Sequence, residues 1–167
     1  MLSKTRNQRN SRTFNEFCLG GQLILWATRH WMQACRREKM IPPCVWQSFS
    51  VPGLTPIYAE LCGLLKIIAF KELRAEGFNK PHAHKLSNAE ICFMAILERM
   101  ESGDYLGAKL EVEGIASPAV ARVILEKSGR MNAFLKAADL QISCLREGTK
   151  GRNINEELTN HSRTTVH

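Results

Sequence analysis

The chain has 167 residues, of which 44% are hydrophobic, and its formal charge at pH 7 is +7. A chain of this length and composition can bury a core, so intrinsic disorder of the whole chain is excluded. The longest apolar stretch, residues 53–70, contains Glu60 and Lys66, and these charges argue against a membrane span or a membrane partner.

The positive charge is concentrated near the ends of the chain. Residues 1–12 carry +4 and no acidic side chain, residues 148–167 carry +1, and residues 13–147 carry only +2. Because both ends are polar and poor in apolar residues, we predict a basic disordered arm at 1–12 and a disordered polar tail at 148–167. The segment between them, residues 13–147, is predicted to be one helical domain.

The six cysteines are dispersed along the chain and most lie among apolar neighbours. They stand at positions 18, 35, 44, 62, 92 and 144. This pattern is typical of reduced cysteines that act as small buried hydrophobic residues. Since no apolar segment follows the polar first ten residues, no signal peptide is expected, and we predict a cytoplasmic protein.

Helical periodicity and helix-capping residues predict an all-α, single-domain bundle of five or six helices with disordered polar tails. The predicted helices cover residues 13–39, 55–76, 87–102, 105–112, 117–127 and 131–145, with one further helical turn at 44–49 and a loop at 78–85. Gly20 and Gly21 lie inside the first predicted helix. They indicate either the close approach of another helix or a break in this one. Glu98 and Glu101 are expected on a solvated face.

A cluster of aromatic and basic residues is the first candidate for a binding surface. It comprises Trp26, Arg29, His30, Trp31, Arg36 and Arg37. Tryptophan and arginine are the residues that most often anchor protein interfaces, so a protein partner is expected here. A second alternative is a small ligand-binding protein or enzyme centred on Trp26, His30 and Trp31.

Residues 106–127 form the second candidate, because they resemble the helix-turn-helix of LacI-type repressors. The resemblance is carried by Gly114, Ile115, Ser117 and the Val-Ala-Arg-Val sequence at 120–123. It implies a DNA-binding transcriptional regulator whose second helix enters the major groove. The implied DNA contacts are Ser117, Arg122 and Lys127, together with Arg6, Arg9 and Arg12 of the basic arm.

Other chemistries have less support in the sequence. His82 and His84 with Cys35, Cys44 and Cys62 lack the closely spaced cysteine pairs of a structural zinc site. No cysteine or serine stands in a recognisable pattern with a base, so we expect no catalytic residue, cofactor or metal. The sequence therefore favours a non-enzymatic interaction or regulatory protein that binds a macromolecular partner. A protein partner is expected, and nucleic acid is the alternative.

Overall fold

The computed structural model describes residues 12–69 and 77–144, and this part of the chain is an all-α bundle of one domain. Its helices are α1 Leu19–Arg36, α2 Pro43–Ser48, α3 Thr55–Ile67, α4 Asn88–Ser102, α5 Tyr105–Glu113 and α6 Pro118–Ala137, preceded by a 3₁₀ helix at Phe14–Glu16. Extended pairing within the described residues is limited to two isolated bridges, Thr13 with Lys85 and Phe17 with Ser143. The predicted fold class is confirmed.

Local signals in the sequence set several helix ends as predicted. Ser87 and Glu90 form a reciprocal capping box at the start of α4, and Gly103 ends that helix in the left-handed conformation, at φ 79°. Pro56 and Pro118 occupy the first turns of α3 and α6, where a missing N–H costs nothing. The predicted helix at 105–112 corresponds to α5.

The prediction of a first helix over 13–39 was wrong at both ends. Thr13 and Glu16 form the expected capping box, but it closes only a 3₁₀ turn, and the chain extends at Phe17 and Cys18 before α1 begins. Phe17 is buried, so packing its ring takes precedence over continuing the helix. At the other end, Lys39 N–H bonds to Ala34 and Glu38 N–H to Cys35, a Schellman ending with Glu38 left-handed.

The predicted break at Ser128 and Gly129 was also wrong, because α6 continues through both residues. Ser128 is fully buried, and a Cβ on Gly129 would lie 3.2 Å from the terminal methyl of Met100. The small residues Ser128 and Gly129 therefore do not end α6. They allow α4 to pack closely against it. The predicted continuation of the second helix over 70–76 lies outside the described residues, as do the arm at 1–11 and the tail at 148–167.

A single hydrophobic core joins all the longer helices. The most extensive packing is between α3 and α6 and between α4 and α5, and α1 contacts both α3 and α4. The core side chains include Ile24, Leu25 and Met32 of α1, Ile57, Leu61 and Leu64 of α3, Phe93 and Met94 of α4, and Met131 and Leu135 of α6. The two halves of the chain therefore form one unit.

A fully buried ion pair links α1, α4 and the loop between residues 77 and 87. Arg29 donates to both carboxylate oxygens of Glu90, at 2.8 and 3.0 Å, and also to the carbonyls of Ala83 and Lys85. Glu90 also accepts from the backbone N–H groups of Asn79 and Ser87. These bonds offset the large cost of removing two charges from water.

Replacement of Arg29 by methionine should lower the free energy of unfolding by about 3–5 kcal/mol, because Glu90 would be left buried without a counter-charge. Guanidinium denaturation measures this loss. Lys109→Ala is the matched control, since Lys109 and Glu113 pair at 3.7 Å while both are about half exposed. The control should cost less than about 0.5 kcal/mol. Equal losses in the two variants would contradict the assignment.

The segment from Leu140 to Ser143 crosses the start of α1 at very short range. Cys18 and Gly21 donate backbone hydrogen bonds to Ile142 and Gln141, and Glu101 of α4 accepts from the N–H groups of Ile142 and Ser143. The close approach considered for the glycine pair therefore occurs, but the element that approaches is an extended segment and not a helix.

A methyl group at position 21 should destabilise the protein even though alanine favours helix. The Cβ of Gly21→Ala would lie 2.6 Å from the carbonyl oxygen of Ile142, which is backbone, so we expect a loss of about 1–3 kcal/mol in thermal or chemical unfolding. Gly63→Ala in α3 is the control, because its Cβ would meet only the end of the flexible Lys127 side chain. A neutral Gly21→Ala would show that the segment does not dock in solution.

Candidate functional site

The predicted aromatic and basic cluster does not form one surface. Arg29 and Trp31 are buried, so their assignment to a partner-binding surface was wrong. Arg29 is used by the ion pair with Glu90, and Trp31 belongs to the core between α1 and α3. Arg36 and Arg37 are exposed at the end of α1, as a surface role requires.

Trp26 and His30 lie on α1 in half-buried positions. Their rings meet edge to face with centroids 4.9 Å apart. Burial lowers the pKa of His30, and the charge of His82 lowers it further, so the neutral imidazole is favoured at pH 7. Because Trp31 turns into the core, the three residues proposed for a ligand or catalytic centre do not converge on one space.

The Cys62 thiol of α3 is held in its protonated form. Burial raises the pKa of Cys62, and a hydrogen bond with Tyr58, the charge of Lys66 and the proximity of Trp31 oppose this rise in decreasing order. Burial also raises the pKa of Tyr58 to about 12. A protonated thiol beside a protonated phenol is a poor nucleophile at neutral pH, so this group is best explained as packing.

Two of the six cysteines form a disulfide, which corrects the prediction that all are reduced. Cys18 precedes α1 and Cys144 follows the docked segment, and their Cα atoms are 4.9 Å apart. Cys35, Cys44, Cys62 and Cys92 are not in a disulfide. Because the two cysteines are 126 residues apart, the local spacing of cysteines in the sequence could not predict this pairing.

Removal of the disulfide should cost about 4–5 kcal/mol of unfolding free energy by the chain-entropy relation for so long a loop. Cys18→Ser/Cys144→Ser and the reduced natural protein should unfold at the same denaturant concentration, below that of the oxidised protein. Cys44→Ser, which removes an exposed free thiol, is the control and should change nothing. If a reductant leaves the natural protein's midpoint unchanged, the two thiols are not linked in solution.

Several basic and large apolar side chains are exposed at the end of α1 and in the connection from α1 to α3. We call them the basic–apolar surface, which comprises Arg36, Arg37, Lys39, Met40, Trp46 and Val51. Met40 is 93% exposed, Val51 55% and Trp46 51%. The Schellman ending of α1 turns the chain at Glu38, and α2 then presents Trp46 to solvent while Val45 and Phe49 anchor it in the core.

The basic–apolar surface has a net positive charge. Glu38 is the only acidic residue between positions 36 and 54. In the part of the chain that the structure describes, Arg36, Arg37 and Lys39 form no ion pair. Their charges are therefore available to a ligand, and the adjacent apolar side chains offer an area that water solvates poorly.

The residues proposed to contact DNA are scattered. The connectivity of α5, a turn at 114–117 and α6 matches the predicted helix-turn-helix, and Ser117 and Arg122 are exposed. Lys127, however, is engaged with Glu60 at 3.4 Å, and Arg12 binds Glu98 through two hydrogen bonds. Arg6 and Arg9 lie outside the described residues. The structure thus leaves Arg122 alone among the described cations of this set without an ion pair.

A cavity of about 490 Å³ lies where the C-terminal ends of α4 and α6 meet. Glu101, Lys136 and Asp139 contribute charges to its lining, and Leu140 contributes apolar area. The carboxylate of Glu101 is already bound by the N–H groups of the docked segment. This cavity therefore has no fixed polar group that is both buried and unpartnered.

Comparisons with known proteins leave the function to be argued from geometry. No protein-family model, no curated protein and no solved structure matches this chain. Within residues 12–69 and 77–144, none of the helices has the combined length and hydropathy of a membrane-spanning segment. The same residues contain no group of three or more His, Cys, Asp or Glu side chains placed to hold a metal ion.

Sequence reasoning placed Trp46 in the neighbourhood of the aromatic and basic cluster without making it a candidate contact, and it did not select Met40 or Val51. One signal could have identified them: each is a large apolar residue in a proline-interrupted connection, where no helical period assigns it to the core. Exposure there depends on how α2 is anchored, which is a tertiary property.

Proposed function

We propose that this protein is a non-enzymatic interaction protein that binds a protein partner through the basic–apolar surface. The observation that carries the proposal is the exposure of Trp46 and Met40 close in the chain to Arg36, Arg37 and Lys39, three cations that form no ion pair with any described residue. Tryptophan, methionine and arginine are enriched at protein interfaces, whereas monomer surfaces rarely place large apolar side chains together.

The charge of the surface indicates the chemistry of the partner. The surface has three cationic residues and one acidic residue, so acidic side chains on the partner would complement its charge. Its apolar side chains would be complemented by apolar side chains on the partner. A partner segment that alternates acidic and large apolar side chains meets both requirements. Arg36 and Arg37 would accelerate association and fix its orientation, while burial of Trp46 and Met40 would slow dissociation.

The rigid base of the surface favours binding over a disordered contact. Val45 and Phe49 are buried, and the ring of Phe49 packs against Tyr58 of α3 with centroids 5.2 Å apart. Because α2 is anchored on one face, Trp46 is held out on another at little further cost in conformational entropy.

Site-specific photo-crosslinking in the cells that produce the protein tests the proposal. A photoreactive phenylalanine analogue replaces Trp46, and the matched control replaces Leu19, which is also well exposed but lies at the other end of α1. The 17 residues from position 19 to position 36 span roughly 25 Å of α1, so Leu19 lies far from Arg36 and Arg37. Position 46 should yield a discrete protein adduct whose crosslinked peptide is acidic and apolar.

The adduct should disappear in Arg36→Glu/Arg37→Glu and weaken as salt concentration rises, because exposed charges are screened. Circular dichroism confirms that the variant is folded. The proposal is wrong if positions 46 and 19 give the same adducts, if neither gives one, or if nuclease removes the adduct while protease does not. The last result would transfer support to the nucleic-acid alternative.

A further inference from the structure

A second exposed apolar face lies on α5, away from the basic–apolar surface. Leu106 is 67% exposed, Leu110 63% and Tyr105 57%. At 100° per residue these side chains, with Lys109 and Glu113, fall within one sector of about 140° on the helix. Ala108 and Val112 are buried and lie on the side of α5 that borders Tyr105, away from Leu110. The helix packs toward α4 and α6.

Nothing in the described part of the chain covers this face. The residues before α5, Ser102, Gly103 and Asp104, are exposed, and so is Gly114 after it. Small or short side chains at both ends of the helix leave room for another helix to lie along it. The face therefore has the shape that helix-on-helix packing requires.

The charges on the face are arranged in a self-complementary order. Lys109 and Glu113 are one helical turn apart and pair within the chain at 3.7 Å. If a second copy lay parallel, Lys109 would face Lys109 and Glu113 would face Glu113. If the second copy runs antiparallel, Lys109 meets the Glu113 of that copy twice, once on each side of the twofold axis.

We propose that α5 mediates a symmetric dimer of this chain, with the two α5 helices antiparallel about a twofold axis. A twofold axis perpendicular to both helices keeps corresponding sides of the face together. The ion pairs place the axis at the level of residue 111, so Leu110 packs against Leu110 of the second copy beside the axis, with the ion pairs on either side and Leu106 farther out along each helix. This proposal does not depend on the basic–apolar surface, which lies on the connection between α1 and α3.

The size of the face sets the strength of the dimer. A large side chain buries on the order of 150–250 Å² when fully covered, so three half-exposed ones supply a few hundred Å² per copy. Stable interfaces bury about 1,200–2,000 Å² in total. The dimer is accordingly weak and reversible, with a dissociation constant on the order of 100 μM.

Sedimentation equilibrium of the full chain, oxidised and at concentrations from about 10 μM to 1 mM, measures the association directly. The average mass of the natural protein should rise from 18.9 kDa toward twice that value. Leu110→Glu should weaken association by at least tenfold, because it places two carboxylates at the axis. Val51→Glu is the matched control, since Val51 has similar exposure on the other surface and its replacement should leave the association unchanged.

Charge reversal tests the antiparallel arrangement. Lys109→Glu and Glu113→Lys should each weaken association by about fivefold, since each replaces two attractive contacts by two repulsive ones. The double variant Lys109→Glu/Glu113→Lys should recover to within about twofold of the natural protein. All four substituted positions are exposed or half exposed, and thermal melting verifies that each variant is folded.

Three results would overturn the proposal. The first is a single mass of 18.9 kDa over the whole concentration range. The second is association that Val51→Glu abolishes and Leu110→Glu leaves intact, which would place the contact on the basic–apolar surface. The third is failure of the double reversal to restore what the single reversals lose. The identity of the peptide crosslinked from position 46 is measured separately, so failure of the dimer is distinguishable from failure of the proposed function.

Discussion

The buried pair of Arg29 and Glu90 is the interaction on which the arrangement of the other elements depends. Two charges inside the core are tolerable only if every strong donor and acceptor around them is matched, so the pair demands one particular path for the loop between residues 77 and 87. The same carboxylate closes the capping box of α4. One side chain thus fixes the start of a helix, the course of a loop and the face of α1.

Two further acidic residues of α4 also bind groups from distant parts of the chain. Glu98 binds Arg12 and accepts from the Ser143 hydroxyl, and Glu101 binds the backbone of Ile142 and Ser143. Arg12 was expected in a disordered arm and Glu98 and Glu101 on a solvated face, yet all three hold the ends of the described chain against the bundle. Carboxylates at positions 90, 98 and 101 lie on one side of the helix, which is why a single element can gather three separate segments.

Local signals in the sequence predicted the fold well. Features that depend on contacts between residues distant in the sequence could not be predicted. The capping box at Ser87 and Glu90 located α4 because it acts within four residues. By contrast, Ser128 and Gly129 have the composition of a helix end, and only the neighbouring Met100 reveals that they serve packing. Arg29 carries the charge of a surface residue, and its burial depends on Glu90, 61 positions later. The exposure of Met40 and Trp46 likewise depends on how α2 is anchored.

The two proposed surfaces become more effective if they act together. Each is small: the basic–apolar surface has three exposed apolar side chains, and so does the face of α5. A surface of that size binds weakly by itself, because association must first offset the loss of translational and rotational freedom. A dimer through α5 would carry two copies of the basic–apolar surface, and a partner with two acidic segments could occupy both. The second contact would then be intramolecular, which raises the overall affinity without adding any new type of contact.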